Sequence, residues 1–361
     1  NLKIINKFIE KVNIIAEAGV NHNGKKALAF RLIEKAKEIG ASYVKFQTFS
    51  AETLSTRTAK KAPYQVNTKD KSQFEMLKKL ELKKDVFKDL FKFSDELKID
   101  FFSTPFDIDS LNFLCDLGMK RIKIPSGEIT NGPLLLEASK KNLPIILSTG
   151  MSNINEIKEA LSIISYGILK LSKKITANVL NDCFNDNIAK KKIKKKVTLL
   201  HCTSSYPCPT SDANIFAIKS INEKFNIPTG FSDHTNGFVA SGLAVTLGAK
   251  LLEKHFTLNK SMKGPDHKAS LNINEFKNYI KHIREVESYL GSGEKKIQKS
   301  EKTNIKVIRK SIVAKKKIKK GELFSNENIT FKRPAGGKSP MNYWKIINTK
   351  SKKNYSEEDL I

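Results

Sequence analysis

The chain has 361 residues, of which 65 are Lys or Arg and 37 are Asp or Glu, for a formal net charge of +28. That length supports about two domains with their own buried cores, without disulfides or a structural metal. Hydrophobic residues at 39% exclude a disordered chain, and the absence of a membrane-length apolar run or a signal-peptide pattern points to a cytoplasmic protein.

From residue 12 onward one unit recurs: a short β-branched run, a polar turn, then a segment of helical period. Strands are predicted at Val12–Ala16, Ser42–Phe46, Asp100–Phe102, Arg121–Ile124, Pro144–Leu147, Val197–His201, Ile227–Phe231 and Lys250–Phe256. Helices follow, among them Lys25–Gly40, Lys84–Leu97, Asn153–Ser165, Ser211–Phe225 and Ile273–Leu290. Eight such units predict an α/β fold, a (β/α)8 TIM barrel over residues 1–292. A doubly wound sheet would have fewer strands and a Gly-rich nucleotide turn after the first, which is absent.

Residues 167–196 interrupt the fifth and sixth units with polar, Lys-rich sequence and read as a surface insertion with a helix of its own. The run Lys190 to Lys196 has no interleaved aromatics, so it reads as a solvated face, and no nucleic-acid or membrane partner is expected. The positive balance still favours approach of a small anionic substrate. A polar, charged stretch at 293–306 reads as a linker, and residues 307–361, with strand-like runs Ser311–Ala314 and Ile329–Lys332, as a second small domain. Within it, Gly336-Gly337-Lys338-Ser339 is not a phosphate loop, because Lys332 stands where the first Gly is required. The four cysteines (Cys115, Cys183, Cys202, Cys208) lack C-x-x-C spacing and suit a reducing compartment.

In a barrel of this kind, active-site groups sit at the C-terminal ends of the strands. Here every predicted end is polar. In chain order the groups are Glu17, Asn21 and His22; Lys45 and Gln47; Ser103 and Thr104; Lys123, Ser126 and Glu128. Ser148 and Thr149 follow, then His201, Thr203, Ser204 and Tyr206, then Ser232, Asp233 and His234, and finally Glu253 and His255. The two-residue period places Lys45 with Gln47, and Glu253 with His255, on one face of their strands. His234 and His255 close neighbouring strands; they are either hydrogen-bonded core histidines or the ligands of one divalent ion with open positions. Lys45 and Lys123 are Schiff-base nucleophiles, partners of an anion or plain surface lysines, and the surrounding hydroxyls of Thr104, Ser126, Ser148, Ser204 and Ser232 favour the anion over the imine.

These motifs resemble the sialic acid synthase family. The match is carried by IIAEAGVNHNG (14–24), VKFQTF (44–49), FFSTPFD (101–107), RIKIPSGE (121–128) and PIILSTGM (144–151). It continues with LLHCTSSYPCP (199–209), GFSDHT (230–235), LEKHFT (252–257) and KGPDHKASL (263–271). The tail SIVAKKKIKKGELFSNENITFKRP (311–334) resembles that family's antifreeze-like (SAF) module of β-clip type.

The resemblance implies a transferase that condenses phosphoenolpyruvate with N-acetylmannosamine, cleaving the C–O bond of the phosphoester to give N-acetylneuraminate and phosphate. The alternative substrate is the 2,4-diacetamido-2,4,6-trideoxymannose that leads to legionaminate. By the same resemblance His234 and His255 hold Mn2+ or Mg2+. Lys45, Thr104, Lys123, Ser126, Ser148, Ser204 and Ser232 bind phosphoenolpyruvate, with Ser204 standing where the family commonly has Asn. Glu17, Gln47, Glu128, Tyr206 and Asp266 contact the sugar. Glu17, Glu128, Lys45 and Lys123 are the expected catalytic groups, and Val307 stands near a position where relatives can carry an aromatic. Arg333 is expected to reach into the partner subunit's barrel of a domain-swapped homodimer. Readings from other classes are a Schiff-base aldolase or lyase using Lys123 and a basic polyanion binder.

Overall fold

The computed structural model describes residues 11–65 and 70–361. It divides into two compact units, the first ending at Gly291 and the second running from Ser292 to Ile361. Eight parallel strands build the first: β1 (Asn13–Gly19), β2 (Tyr43–Thr48), β3 (Asp100–Pro105), β4 (Ile122–Ile124), β5 (Ile145–Ser148), β6 (Val197–His201), β7 (Thr229–Asp233) and β8 (Leu251–His255). Their order, β3-β2-β1-β8-β7-β6-β5-β4, curls the sheet into a nearly closed barrel in which β3 and β4 lie side by side.

The strands are buried on both faces, and apolar residues fill the layer between them and the helices. One cluster gathers Ile14, Val44, Phe87, Leu252 and Phe276; another gathers Ile122, Leu147, Leu161, Leu199 and Ile221. Helix starts follow local signals: Asn153 and Asn272 each form a capping box with the glutamate three residues on, Glu156 and Glu275.

The expected barrel is therefore present, with shifted element ends. β7 begins at Thr229 instead of Ile227 and ends on Asp233, because its pairing with β8 sets Phe231 opposite Leu252. The helix expected over Ser211–Phe225 starts only at Ala217, after a 3-10 turn at Thr210–Asp212. Residues 167–196, expected as a surface insertion with a helix of its own, are largely helical. Gly167 is buried inside the helix Ile154–Leu169, and the segment then forms two helices, Ala177–Asn185 and Asn187–Lys196, the second leading directly into β6. Ala189 and Ile193 are buried while the lysines between them are exposed, so the Lys-rich run is the outer face of a packed helix. His282 is half-buried against Phe238.

The second unit contains an antiparallel pair, β9 (Ser311–Ala314) and β10 (Ile329–Lys332), at the strand positions read from the sequence. Its core comprises Ile312, Ile318, Phe324, Ile329, Ile346 and Ile361. The stretch expected as a linker carries a 3-10 turn at Lys299–Glu301 and a short helix, Lys302–Ile308. Among the described residues no helix is long and apolar enough to cross a membrane.

Candidate active site

The C-terminal ends of the barrel strands open into a cavity of about 420 Å3. Glu17, Lys45, Gln47, Thr104, Lys123, Ser126, Glu128, Ser148, Ser204, Tyr206, Ser232, His234, His255 and Asp266 all line it. Arg333 is the one predicted site residue in the second unit, where its side chain is exposed.

The floor is cationic and hydroxyl-rich. Lys45 Nζ donates to Thr104 Oγ1 at 3.0 Å and lies 2.8 Å from Glu17 Oε2. Lys123 Nζ donates to Ser148 Oγ at 2.6 Å. Between the lysines stands Glu253, its oxygens 3.7 Å from Lys45 and 3.8 Å from Lys123, and it accepts from Ser232 Oγ at 2.9 Å. Burial alone would raise the Glu253 carboxyl, but the two ammonium groups and the Ser232 hydroxyl outweigh it and hold it at about 2. Glu17 goes the other way. Burial, partly offset by Lys45 and reinforced by the like charge of Glu253, pushes it up to about 7. Burial also lowers Lys123, with Glu253 opposing.

Backbone irregularities make this convergence possible. The β1–β2 register slips between Glu17 and Gly19, a bulge beside the site. Gly19 has φ +51, and a Cβ there would stand 3.3 Å from both Glu17 Oε1 and Gln47 Nε2. After β5, a Cβ on Gly150 would meet Ser204 Oγ at 2.4 Å and Ser126 Oγ at 2.7 Å. The bare backbone at that point lets Gly150 N–H donate to Ser126 Oγ at 3.0 Å, while Ser126 also touches Cys202 Sγ at 3.1 Å.

Above the floor, the rings of His234 and His255 lie 5.6 Å apart, centroid to centroid, and Tyr206 packs on His234 at 4.2 Å. His234 Nδ1 lies 2.7 Å from the Thr203 carbonyl, a contact that requires a proton on Nδ1 and leaves Nε2 with a free lone pair. Burial lowers His234 to about 4, against the Thr203 carbonyl, and holds His255 well below the ordinary imidazole value, helped by His234. His255 Nδ1 is buried without a hydrogen-bond partner, and Asp266 Oδ2 stands 3.8 Å away. Two neutral imidazoles, His255 Nδ1 without a hydrogen-bond partner and His234 Nε2 facing the Ser232 hydroxyl at 3.3 Å, fit a divalent cation. Among the described residues no group of three or more His, Cys, Asp or Glu is arranged to hold a metal ion.

Other strand-end residues support the loops. Asn21 Nδ2 donates to the Phe256 carbonyl at 2.8 Å and to Ser270 Oγ at 2.9 Å, and His22 Nδ1 accepts from Gly24 N–H at 3.0 Å. His201 Nε2 lies 2.9 Å from the Ala213 carbonyl. Sequence reasoning set Glu253 on one strand face with His255 but assigned it no role, although that two-residue spacing was the available signal. It missed Cys202, and it missed the wall formed by Leu54, Gln65, Gln73, Met76 and Leu80, which has no strand-end signature.

The sequence is similar to known proteins over nearly its whole length. The N,N'-diacetyllegionaminic acid synthase of Campylobacter jejuni is 48% identical over 98% of this chain and 99% of its own length. That of Legionella pneumophila is 43% identical over 95% of this chain and 91% of its own. The crystal structure of N-acetylneuraminic acid (sialic acid) synthetase from Leptospira borgpetersenii superposes with a TM-score of 0.68 at 34% identity, covering 82% of this chain and 91% of that one. A SAF domain model matches residues 309–361. The barrel sequence itself matches the NeuB family model across residues 32–295, and the chain belongs to the NeuB family.

Proposed function

We propose that the protein condenses phosphoenolpyruvate with 2,4-diacetamido-2,4,6-trideoxymannose, releasing phosphate and N,N'-diacetyllegionaminate. The observation that carries the chemistry is a continuous polar path: Lys123 contacts Glu253, Glu253 accepts from Ser232, and Ser232 Oγ lies 3.3 Å from His234 Nε2. An anion cradle and a paired-imidazole site thus share one cavity, as a phosphoester and a carbonyl that must meet require. The sugar follows from the relatives. Those named N,N'-diacetyllegionaminic acid synthases are 48% and 43% identical, against 34% for the sialic acid synthetase. That ordering moves the reading from N-acetylmannosamine, the sequence's first choice, to the diacetamido sugar.

Lys45 and Lys123, with Thr104, Ser126, Ser148, Ser204 and Ser232, hold the phosphate and carboxylate of phosphoenolpyruvate through charge-assisted bonds. The enol carbon then adds to the sugar aldehyde, water adds at C2, and phosphate leaves by C–O cleavage. His234 and His255 hold Mn2+ or Mg2+, which when bound supplies Lewis acidity toward the aldehyde. Glu17, poised near neutrality, delivers a proton to the new alkoxide. Gln47, Glu128, Tyr206 and Asp266 face the sugar, and Asn131 Nδ2 steadies Glu128 by donating to its Oε2 at 2.7 Å. Arg333, with its exposed guanidinium, serves the barrel of the partner subunit in a homodimer.

A phosphate-release assay with the two sugars tests this. Turnover with the diacetamido sugar should exceed that with N-acetylmannosamine by about tenfold or more in kcat/KM. A preference for N-acetylmannosamine would return the protein to N-acetylneuraminate synthesis, and no release with either sugar would end the reading.

A further inference from the structure

The outer faces of β7 and β8 carry a second ionic pair that takes no part in the cavity. Ladder register sets Ser232 opposite Glu253 and Asp233 opposite Lys254. Alternation turns the first pair into the barrel and the second toward the helices Val239–Thr246 and Ile273–Leu290. The side chains of Lys254 and Asp233 are 1% and 0% exposed, with Nζ 3.1 Å from Oδ2. Lys254 also donates to the Thr235 carbonyl at 2.6 Å. Asp233 Oδ1 accepts from the Thr235 N–H at 2.8 Å and its hydroxyl at 2.7 Å, while Oδ2 accepts from Ser241 Oγ at 2.7 Å. Tyr279 in turn donates to Ser241 Oγ at 3.0 Å.

We propose that Asp233 and Lys254 are positioning residues that set the separation of His234 and His255, by tying the residue after one imidazole to the residue before the other. Thr235 follows His234 and Lys254 precedes His255, so the Lys254–Thr235 bond spans the gap between the two histidine backbones at one point. The helices behind, through Ser241 and Tyr279, fix that point relative to the barrel wall. A buried ion pair adds little net stability over apolar side chains of the same volume, so its consequence lies in geometry. Two ligands on separate strands share a cation only if their spacing is held, and outer partners of metal ligands have large effects on affinity for that reason. The inference rests on the proposed role of the imidazoles as cation ligands.

The test uses the full chain without added substrate, titrated with Mn2+ and followed by electron paramagnetic resonance of the free ion, alongside thermal unfolding. The double variant Asp233→Asn with Lys254→Met leaves no uncompensated charge. It should fold, bind Mn2+ about tenfold more weakly and lose kcat with KM for phosphoenolpyruvate unchanged. Ser241→Ala, which removes one donor to Asp233, should weaken Mn2+ about twofold and keeps the question answerable if the double variant does not fold. Wild-type Mn2+ affinity in a folded double variant, or in Ser241→Ala where the double variant does not fold, overturns the positioning role if His234→Ala abolishes binding. Equal Mn2+ binding by the wild type and His234→Ala overturns the cation reading and this inference with it.

Discussion

Lys45 and Glu17 face each other as ladder partners across β1 and β2, with Nζ 2.8 Å from Oε2 and both side chains nearly inaccessible to water. The glutamate is pushed up to about 7 by burial, partly offset by Lys45, while the lysine, despite its own burial, is raised by Glu17 and Glu253. The pair therefore keeps a fixed cation beside an acid that exchanges its proton near neutrality.

Glu17→Gln retains the shape and removes that proton. The expected loss in kcat is about 10²- to 10⁴-fold, with KM for phosphoenolpyruvate little changed. In the wild type the raised carboxyl ionises as pH climbs through about 7, so the proton donor is lost and kcat should fall on the alkaline side. That decline should be missing from the pH–rate profile of the variant; a profile identical to the wild type would remove Glu17 as the donor.

Lys123→Met deletes the ammonium that donates to Ser148, and Glu253 keeps Lys45 as a counterion. The half-saturating concentration of phosphoenolpyruvate should rise about 10- to 100-fold, the range for a lost hydrogen bond to a charged group. Borohydride treatment of the wild type with both substrates should leave its intact mass unchanged. A reduced adduct on Lys123 would instead establish imine chemistry.

Gly150→Ala places a methyl 2.4 Å from Ser204 Oγ and 2.7 Å from Ser126 Oγ. Both hydroxyls must move, so affinity for phosphoenolpyruvate should fall roughly tenfold, as for one or two lost hydrogen bonds, with sugar KM much less affected. Isothermal titration with phosphoenolpyruvate alone measures this, and unchanged affinity would place the two serines outside the cradle.

Treatment with a chelator should abolish phosphate release, and added Mn2+ should restore it. His234→Ala should not be rescued by Mn2+, because Thr203 holds the His234 ring in the tautomer that offers Nε2. Full turnover in excess chelator would contradict the role assigned to His234 and His255.

Arg333→Ala and His234→Ala, each inactive alone, should regain activity when subunits are exchanged. In a swapped dimer each mixed pair contains one barrel with both its histidines and a partner's Arg333, giving about a quarter of wild-type turnover at random mixing. No recovery on mixing, with dimers confirmed by light scattering, would place Arg333 at its own chain's site or at none.

Much of this architecture can be read along the chain, because strand and helix periods are local. Alternating β-branched runs and helical segments predict eight units, and the two-residue period places Lys45 with Gln47, and Glu253 with His255, on shared strand faces, which the barrel turns into one cavity. The polar residues at strand ends are equally legible, since a packed barrel has no other use for so many of them. Local pattern does not decide which ends meet. The register of β7 on β8, the placement of Glu253 between two lysines from different strands, and the closeness of Ser204 to Gly150 arise only when the sheet curls and brings distant segments within hydrogen-bond reach. The inner face of the Lys-rich segment was hidden for the same reason. Its lysines are visible in sequence, but the burial of Ala189 and Ile193 depends on the packing around a helix that composition cannot show. Sequence thus determined the repeating unit and the kinds of chemistry at its ends; tertiary closure decided their partners, and with them which carboxyl stays ionised and which holds its proton, because those energies depend on distance and burial.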